Sequence, residues 1–263
     1  MRAALAVARK ELEIYFTTPM AWVVLAVIAF FAAQTFNGAL DAYRFLALRA
    51  SAVAPQAAAG LNLTERVVIP LLESVGVFLV ILSPFLTMRL VADEKRTGTL
   101  ELLLTAPVRP LSLVLGKYLA VLAVLATALA IVALFPLLLT LAGGGQAGGA
   151  AVEWRTVGTG LLGLLLLAMM AAAVGLFFSA LTESVIVAAL LSLVVLLALW
   201  AVTLFAVGVE GPGRELAAAL SAYERLGGFL EGRVVLGDVL YFLSFTVLGL
   251  YLTERAVEAH RWA

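Results

Sequence analysis

Six stretches of mostly apolar side chains constrain this chain more than any other feature. They run from about 20 to 40, 67 to 90, 111 to 142, 156 to 180, 184 to 207 and 235 to 253. A helical crossing of a bilayer core takes about 20 such residues. Inside lipid the backbone must satisfy its own hydrogen bonds, so each stretch predicts a transmembrane α-helix. Composition points the same way. Of 263 residues, 64% are hydrophobic and 13% charged, too few polar groups to cover a water-soluble fold. The expected fold class is an all-α integral membrane protein with six transmembrane helices, in a single domain over 1–263. Only short loops remain between spans, too little for a soluble catalytic domain of ordinary size.

Charge and residue inventory narrow the function. There are 17 basic and 17 acidic residues, for a formal net charge of zero. That balance argues against a nucleic-acid partner and leaves the lipid bilayer. With no cysteine, disulfides, thiolate metal ligands and cysteine nucleophiles are excluded. Gly116-Lys117 does not close a phosphate-binding loop, because Tyr118 follows and Leu111 stands where the leading glycine belongs. The one histidine, His260, lies in the tail and reads as solvated, since a metal site needs several ligands. No Gly-x-Ser-x-Gly elbow or Ser-His pair occurs in the spans. No catalytic residue, metal ligand or cofactor is therefore expected in this chain, and ATP-driven work would fall to a partner.

Residues 1–18 read as an amphipathic helix lying in the membrane interface. Met1, Leu5, Ala8, Leu12, Tyr15 and Phe16 share one face, beside Arg2, Arg9 and Glu13. The charges at 9–13 break any run that would serve as a signal peptide. Thr18-Pro19 marks the step into the first span, with Trp22 as interface anchor. Pro70, Pro84 and Pro136 predict kinks or re-entrant starts near span ends.

An even number of spans puts both termini on one side. Arg2, Arg9, Lys10, Arg89, Lys95, Arg96, Arg109, Lys117, Arg255 and Arg261 fall on that side, and fewer basic residues on the other. The bias makes the termini cytoplasmic and the segments 41–66 and 208–234 external. Lys117 and Glu183 read as markers of the cytoplasmic interface. Glu73, about two turns into the second span from outside, is a candidate for the substrate path. A side chain reaching outer headgroups or a wet vestibule is the plainer alternative. The 208–234 segment has apolar residues at helical spacing, broken by Gly227-Gly228. It reads as a re-entrant pair or as an amphipathic helix on the outer leaflet.

The loop after the second span, 93–107, is the most informative stretch. Asp93-Glu94-Lys95-Arg96 is a charged run at the membrane edge, and Gly98 allows a tight turn. Thr99 can cap a short helix with Glu101 in its first turn. Leu100, Leu102, Leu103 and Leu104 give that helix an apolar surface, and Pro107 closes it. Glu94 and Glu101 are expected at its rim. Such a surface fits a groove on another protein, or else folds back onto the interface.

That loop resembles the signature of ABC-2-type permeases: an acidic pair, basic residues, Gly-Thr, Glu, a Leu pair and Pro. Tyr15-Phe16-Thr17-Thr18-Pro19-Met20-Ala21 resembles the family's elbow helix entering span one. Gly175 to Ser184 resembles its cytoplasmic turn between spans four and five, with Ser184 where Asn is more usual. Gly232 to Trp262, with Asp238 and Tyr241, is similar to the gliding-motility-associated and nitrous-oxide-accessory subgroup. The resemblance implies an exporter subunit in the bacterial inner membrane. It implies a second permease subunit, the same or homologous, and cytoplasmic ATPase subunits that hold ATP and Mg. It makes Asp93, Glu94, Gly98, Thr99, Glu101, Leu103, Leu104, Pro107, Thr182 and Glu183 the docking residues, on a coupling helix between spans two and three. A membrane anchor without transport, or a stand-alone secondary transporter, is the rival reading. The latter should show inverted repeats or broken midplane helices, and neither is visible in the sequence.

Overall fold

The computed structural model describes residues 2–53, 62–99, 109–141, 152–205 and 211–260. Among them every regular element is helical and no strand occurs. Ten α-helices follow one another: α1 (Arg2–Thr17), α2 (Pro19–Val53), α3 (Ile69–Thr87), α4 (Ala92–Arg96), α5 (Pro110–Leu139), α6 (Trp154–Leu181), α7 (Val185–Phe205), α8 (Pro212–Leu220), α9 (Ala222–Leu230) and α10 (Leu236–His260). Six of the helical stretches are long and apolar enough to cross a membrane. The fold is an all-α membrane protein.

α1 ends because Thr17 and Thr18 turn their hydroxyls back to the carbonyls of Glu13 and Ile14, both at 2.8 Å. Trp22 ties the break together, its Nε1 donating to the Phe16 carbonyl at 3.0 Å. α2 then continues to Val53, well beyond the span expected at 20–40. Asp41, Arg44 and Arg49 interrupt the apolar run but not the helix, since the stretch has good helix formers and no proline. At 35 residues α2 exceeds the thickness of a hydrocarbon core, about 30 Å, by many ångströms.

The prolines act as helix punctuation. A π-helical turn, Thr64–Val68, leads into α3, and Pro70 sits in the first turn of α3, where its missing N–H costs nothing. Pro84 and Pro136 lie in the last turns of α3 and α5, where few residues follow to be disturbed.

α6 is the hub, packing on α3, α5, α7, α9 and α10. Of its most apolar window 67% is buried, against 17% for α7, so α6 is the core of the bundle and α7 presents most of its surface outward. The close approaches rest on small residues along α6. A Cβ on Gly163 would lie 2.7 Å from the Cβ of Phe229 on α9. α1 packs beside the start of α5 and reaches the end of α3, while α9 meets the start of α3. The two therefore cap opposite ends of the bundle.

Candidate functional site

The charged groups converge where α1, α4 and α5 meet. Lys117, two turns into α5, is 1% exposed and among the largest fully buried side chains of the described residues. Its ammonium donates to Glu11 Oε1 at 2.8 Å and Glu94 Oε1 at 2.7 Å. Those side chains are only 10% and 16% exposed. Lys117, expected as a marker of the cytoplasmic interface, is the centre of a buried cluster joining three helices. Glu94 likewise turns inward rather than sitting at a rim. Its Oε2 is buried without a hydrogen-bond partner.

The packing of α1 explains how the cluster closes. Its inner face is Ala4, Ala8, Glu11 and Tyr15, at spacings of 4, 3 and 4. Leu5, at 63% exposure, and Phe16, at 38%, point away. The face expected from hydrophobicity is thus divided: Ala8 and Tyr15 are buried, Leu12 packs partly buried on the core, and Leu5 and Phe16 are exposed. Gly116 permits the approach: a Cβ there would lie 2.6 Å from Val7 Cβ and 2.7 Å from the Ala4 carbonyl. The Tyr15 hydroxyl donates to the Leu86 carbonyl at the end of α3. Burial first, and the Glu11 carboxylate second, push that hydroxyl far above the usual phenol range, so it stays a donor.

The turn from α3 into α4 is held from the other side by α6. Ser179 Oγ donates to the Met88 carbonyl at 2.9 Å and accepts from the backbone N–H groups of Val91 and Ala92, both at 3.1 Å. Lys95 Nζ donates to the Ala180 carbonyl. Asp93 pairs with Arg96 at 2.8 Å and Arg89 at 3.6 Å. Thr99 Oγ1 donates to the Glu94 carbonyl at 3.3 Å. Gly98 has φ of 70°, the left-handed turn that its sequence position predicts. Between α1 and this turn lies a cleft of about 450 Å³, lined by Lys10, Glu11, Tyr15, Arg89, Glu94 and Lys117 among others.

The structure sets α4, which carries Asp93 and Glu94 and leads to Gly98 and Thr99, against α6 and α7, with Lys95 reaching the Ala180 carbonyl just before the α6–α7 connection. There Ser184 N donates to Thr182 Oγ1 at 3.1 Å and Glu183 is exposed. Glu101, Leu103, Leu104 and Pro107 lie outside the described residues. Glu73 is not part of this junction. It sits near the start of α3 and accepts a hydrogen bond from the Tyr223 hydroxyl of α9. Sequence reasoning missed Glu11 altogether. The available signal was a carboxylate at helical spacing from Ala4, Ala8 and Tyr15.

Six long apolar helices with a loop rooted in a buried ion cluster define a polytopic membrane protein. The family model for ABC-2 family transporter proteins matches residues 5–260. The chain belongs to that family and is a permease component of an ABC transporter. No curated protein matches the sequence.

Proposed function

We propose that this chain is the membrane subunit of an ABC-2 exporter, closest to the gliding-motility-associated and nitrous-oxide-accessory subgroup. It would pair with a second permease subunit, the same or homologous, in the bacterial inner membrane, with both termini cytoplasmic. Separate ATPase subunits would bind ATP and Mg, hydrolyse the ATP and dock on the 93–107 loop. Asp93, Gly98, Thr99, Glu101, Leu103, Leu104, Pro107, Thr182 and Glu183 form the contact surface in this reading, with Glu94 acting from its root.

The observation that carries the reading is the double anchorage of that root. Residues 88–95 are gripped by Ser179 of α6 on one side and by Lys117 of α5 on the other. A loop that only linked two spans needs no such base. One that transmits a push from a docked subunit does, because a compliant root would absorb the motion. ATP-driven closure of the ATPases would then move α1, α4 and α5 through one joint, a rigid-body switch.

The test is a pull-down of the cognate ATPase with Leu103→Ala/Leu104→Ala. Two leucines buried at about 1.5–3 kcal/mol each give an expected loss of about two to four decades in affinity, with membrane insertion unchanged. Retention of the ATPase at wild-type level by a normally inserted variant refutes the docking role.

A further inference from the structure

The end of the bundle opposite the charged junction is closed in two layers that nothing in the transporter assignment accounts for. The outer layer is polar. Tyr223 of α9 donates its hydroxyl to Glu73 Oε1 of α3, and its ring stands edge-on to Trp200 of α7 at 5.4 Å. One residue thus bridges α3 and α7. The inner layer, one helical turn further along α3 and α9 and sharing Trp200 of α7, is apolar. A Cβ on Gly76 of α3 would lie 3.0 Å from both Leu226 of α9 and Trp200 of α7, and Leu226 is fully buried.

α9 has a firm base from which to hold these contacts. Ser221 caps it by accepting from Glu224 N at 3.3 Å. Arg225 pairs with the mostly buried Asp238 of α10 at 2.8 Å and stacks over Tyr241. The Tyr241 hydroxyl in turn holds the Leu220 carbonyl at 2.7 Å. α9 is therefore pinned to α10 by a partly buried ion pair and meets α3 through the Leu226–Gly76 packing and one polar bond, the exposed Tyr223–Glu73 contact. When α3 and α7 separate, the apolar layer opens only once that polar bond is broken. The hydrogen bond to Glu73, then burial, raises the Tyr223 hydroxyl above its ordinary range, so the phenol remains a donor.

We propose that the Tyr223–Glu73 hydrogen bond is the latch of the external gate, sealing the Gly76–Leu226–Trp200 layer until α3 moves away from α7. Only the external placement of this end rests on the function proposed above.

The chain has no native cysteine, so a single thiol reports gate opening cleanly. Leu226→Cys and, independently, Ala222→Cys place one in or beside the inner layer of the full chain in lipid nanodiscs. Reaction with a membrane-impermeant maleimide then follows the open fraction. Tyr223→Phe keeps the ring on Trp200 and removes only the hydroxyl. It is expected to speed labelling about tenfold, the worth of one hydrogen bond to a charged group partly in water. Glu73→Ala should match it, and Glu73→Gln should fall between, because an amide oxygen still accepts. The double variant Tyr223→Phe/Glu73→Ala should label no faster than either single one, since both remove the same bond. Wild-type labelling by Tyr223→Phe, or effects that multiply in the double variant, refute the latch. In the complex with the ATPase, vanadate trapping should raise wild-type labelling to the Tyr223→Phe level. An ATPase that does not bind refutes the functional reading while leaving the latch decided by the variants alone.

Discussion

Replacing Lys117 tests the charged junction most directly. Lys117→Met keeps the length of the side chain and removes the ammonium, leaving the Glu11 and Glu94 carboxylates facing one another in a site where Lys117 was 1% exposed. Removing one partner from a buried ion cluster costs roughly 3–5 kcal/mol, most of it the penalty of the stranded charge. Glu94→Gln is milder, because Lys117 keeps Glu11 and the amide oxygen can still accept, so about 1–2 kcal/mol is expected. The neutral triple variant Glu11→Gln/Lys117→Met/Glu94→Gln strands nothing and should return to within about 1 kcal/mol of wild type. Unfolding in mixed micelles, followed by the fluorescence of the four tryptophans, gives the three midpoints. The reasoning depends on their order: Lys117→Met lowest, Glu94→Gln between, and the triple variant near wild type. If Lys117→Met and the triple variant unfold together, the carboxylates are not stranded in a dry site, and the cluster is a screened surface contact.

Two further outcomes follow from the root of the loop. Gly98 has φ of 70° and open space around it, so Gly98→Val meets no clash and costs backbone energy alone, about 1–2 kcal/mol. Gly98→Asn, which tolerates that region better, should cost visibly less, and equal ATPase capture by the two would refute a left-handed turn there. Ser179→Ala removes the acceptor of two backbone N–H groups, at about 1–3 kcal/mol for each buried donor left unpaired. Hydrogen exchange at Val91 and Ala92 should speed up by one to several decades, and unchanged protection there refutes the clamp.

What was legible in the sequence follows the range of the signal. The spans were readable because apolar run length is local, and Gly98 because a turn before a capping threonine needs it. The continuation of α2 to Val53 was not, because Asp41, Arg44 and Arg49 end a hydropathy run without ending a helix. The apolar face of α1 was legible, but not which of its residues meet protein: Ala8 and Tyr15 are buried while Leu5 and Phe16 are exposed, because hydrophobicity does not separate a lipid contact from a helix contact. The ion cluster was hidden by distance, since Glu11 and Lys117 are 106 residues apart. Even so, one local signal was present. A lysine two turns into an apolar helix implies an acidic partner, and the carboxylate at helical spacing from Ala4, Ala8 and Tyr15 of α1 was positioned to supply it.

The two ends of the molecule are mechanically related through α3. Its last turn carries Leu86, whose carbonyl holds Tyr15 of α1, and its first turns carry Glu73, which holds Tyr223 of α9. Thirteen residues separate them, roughly 20 Å along a helix. A displacement imposed at the 88–95 root therefore reaches Glu73 through one element stiffened by packing against α6 along its length. The contacts at its two ends differ in kind. At the root a buried lysine, a serine clamp and a buried phenol hold, whereas the far end is held by apolar packing of Leu72 on Gly160 and of Leu226 on Gly76, with the exposed Tyr223–Glu73 hydrogen bond above it. A displacement of α3 at its root is thus carried to a contact where the apolar layer is overlaid by one polar bond, and that bond is the exposed one, so it is the part of the contact that water can replace.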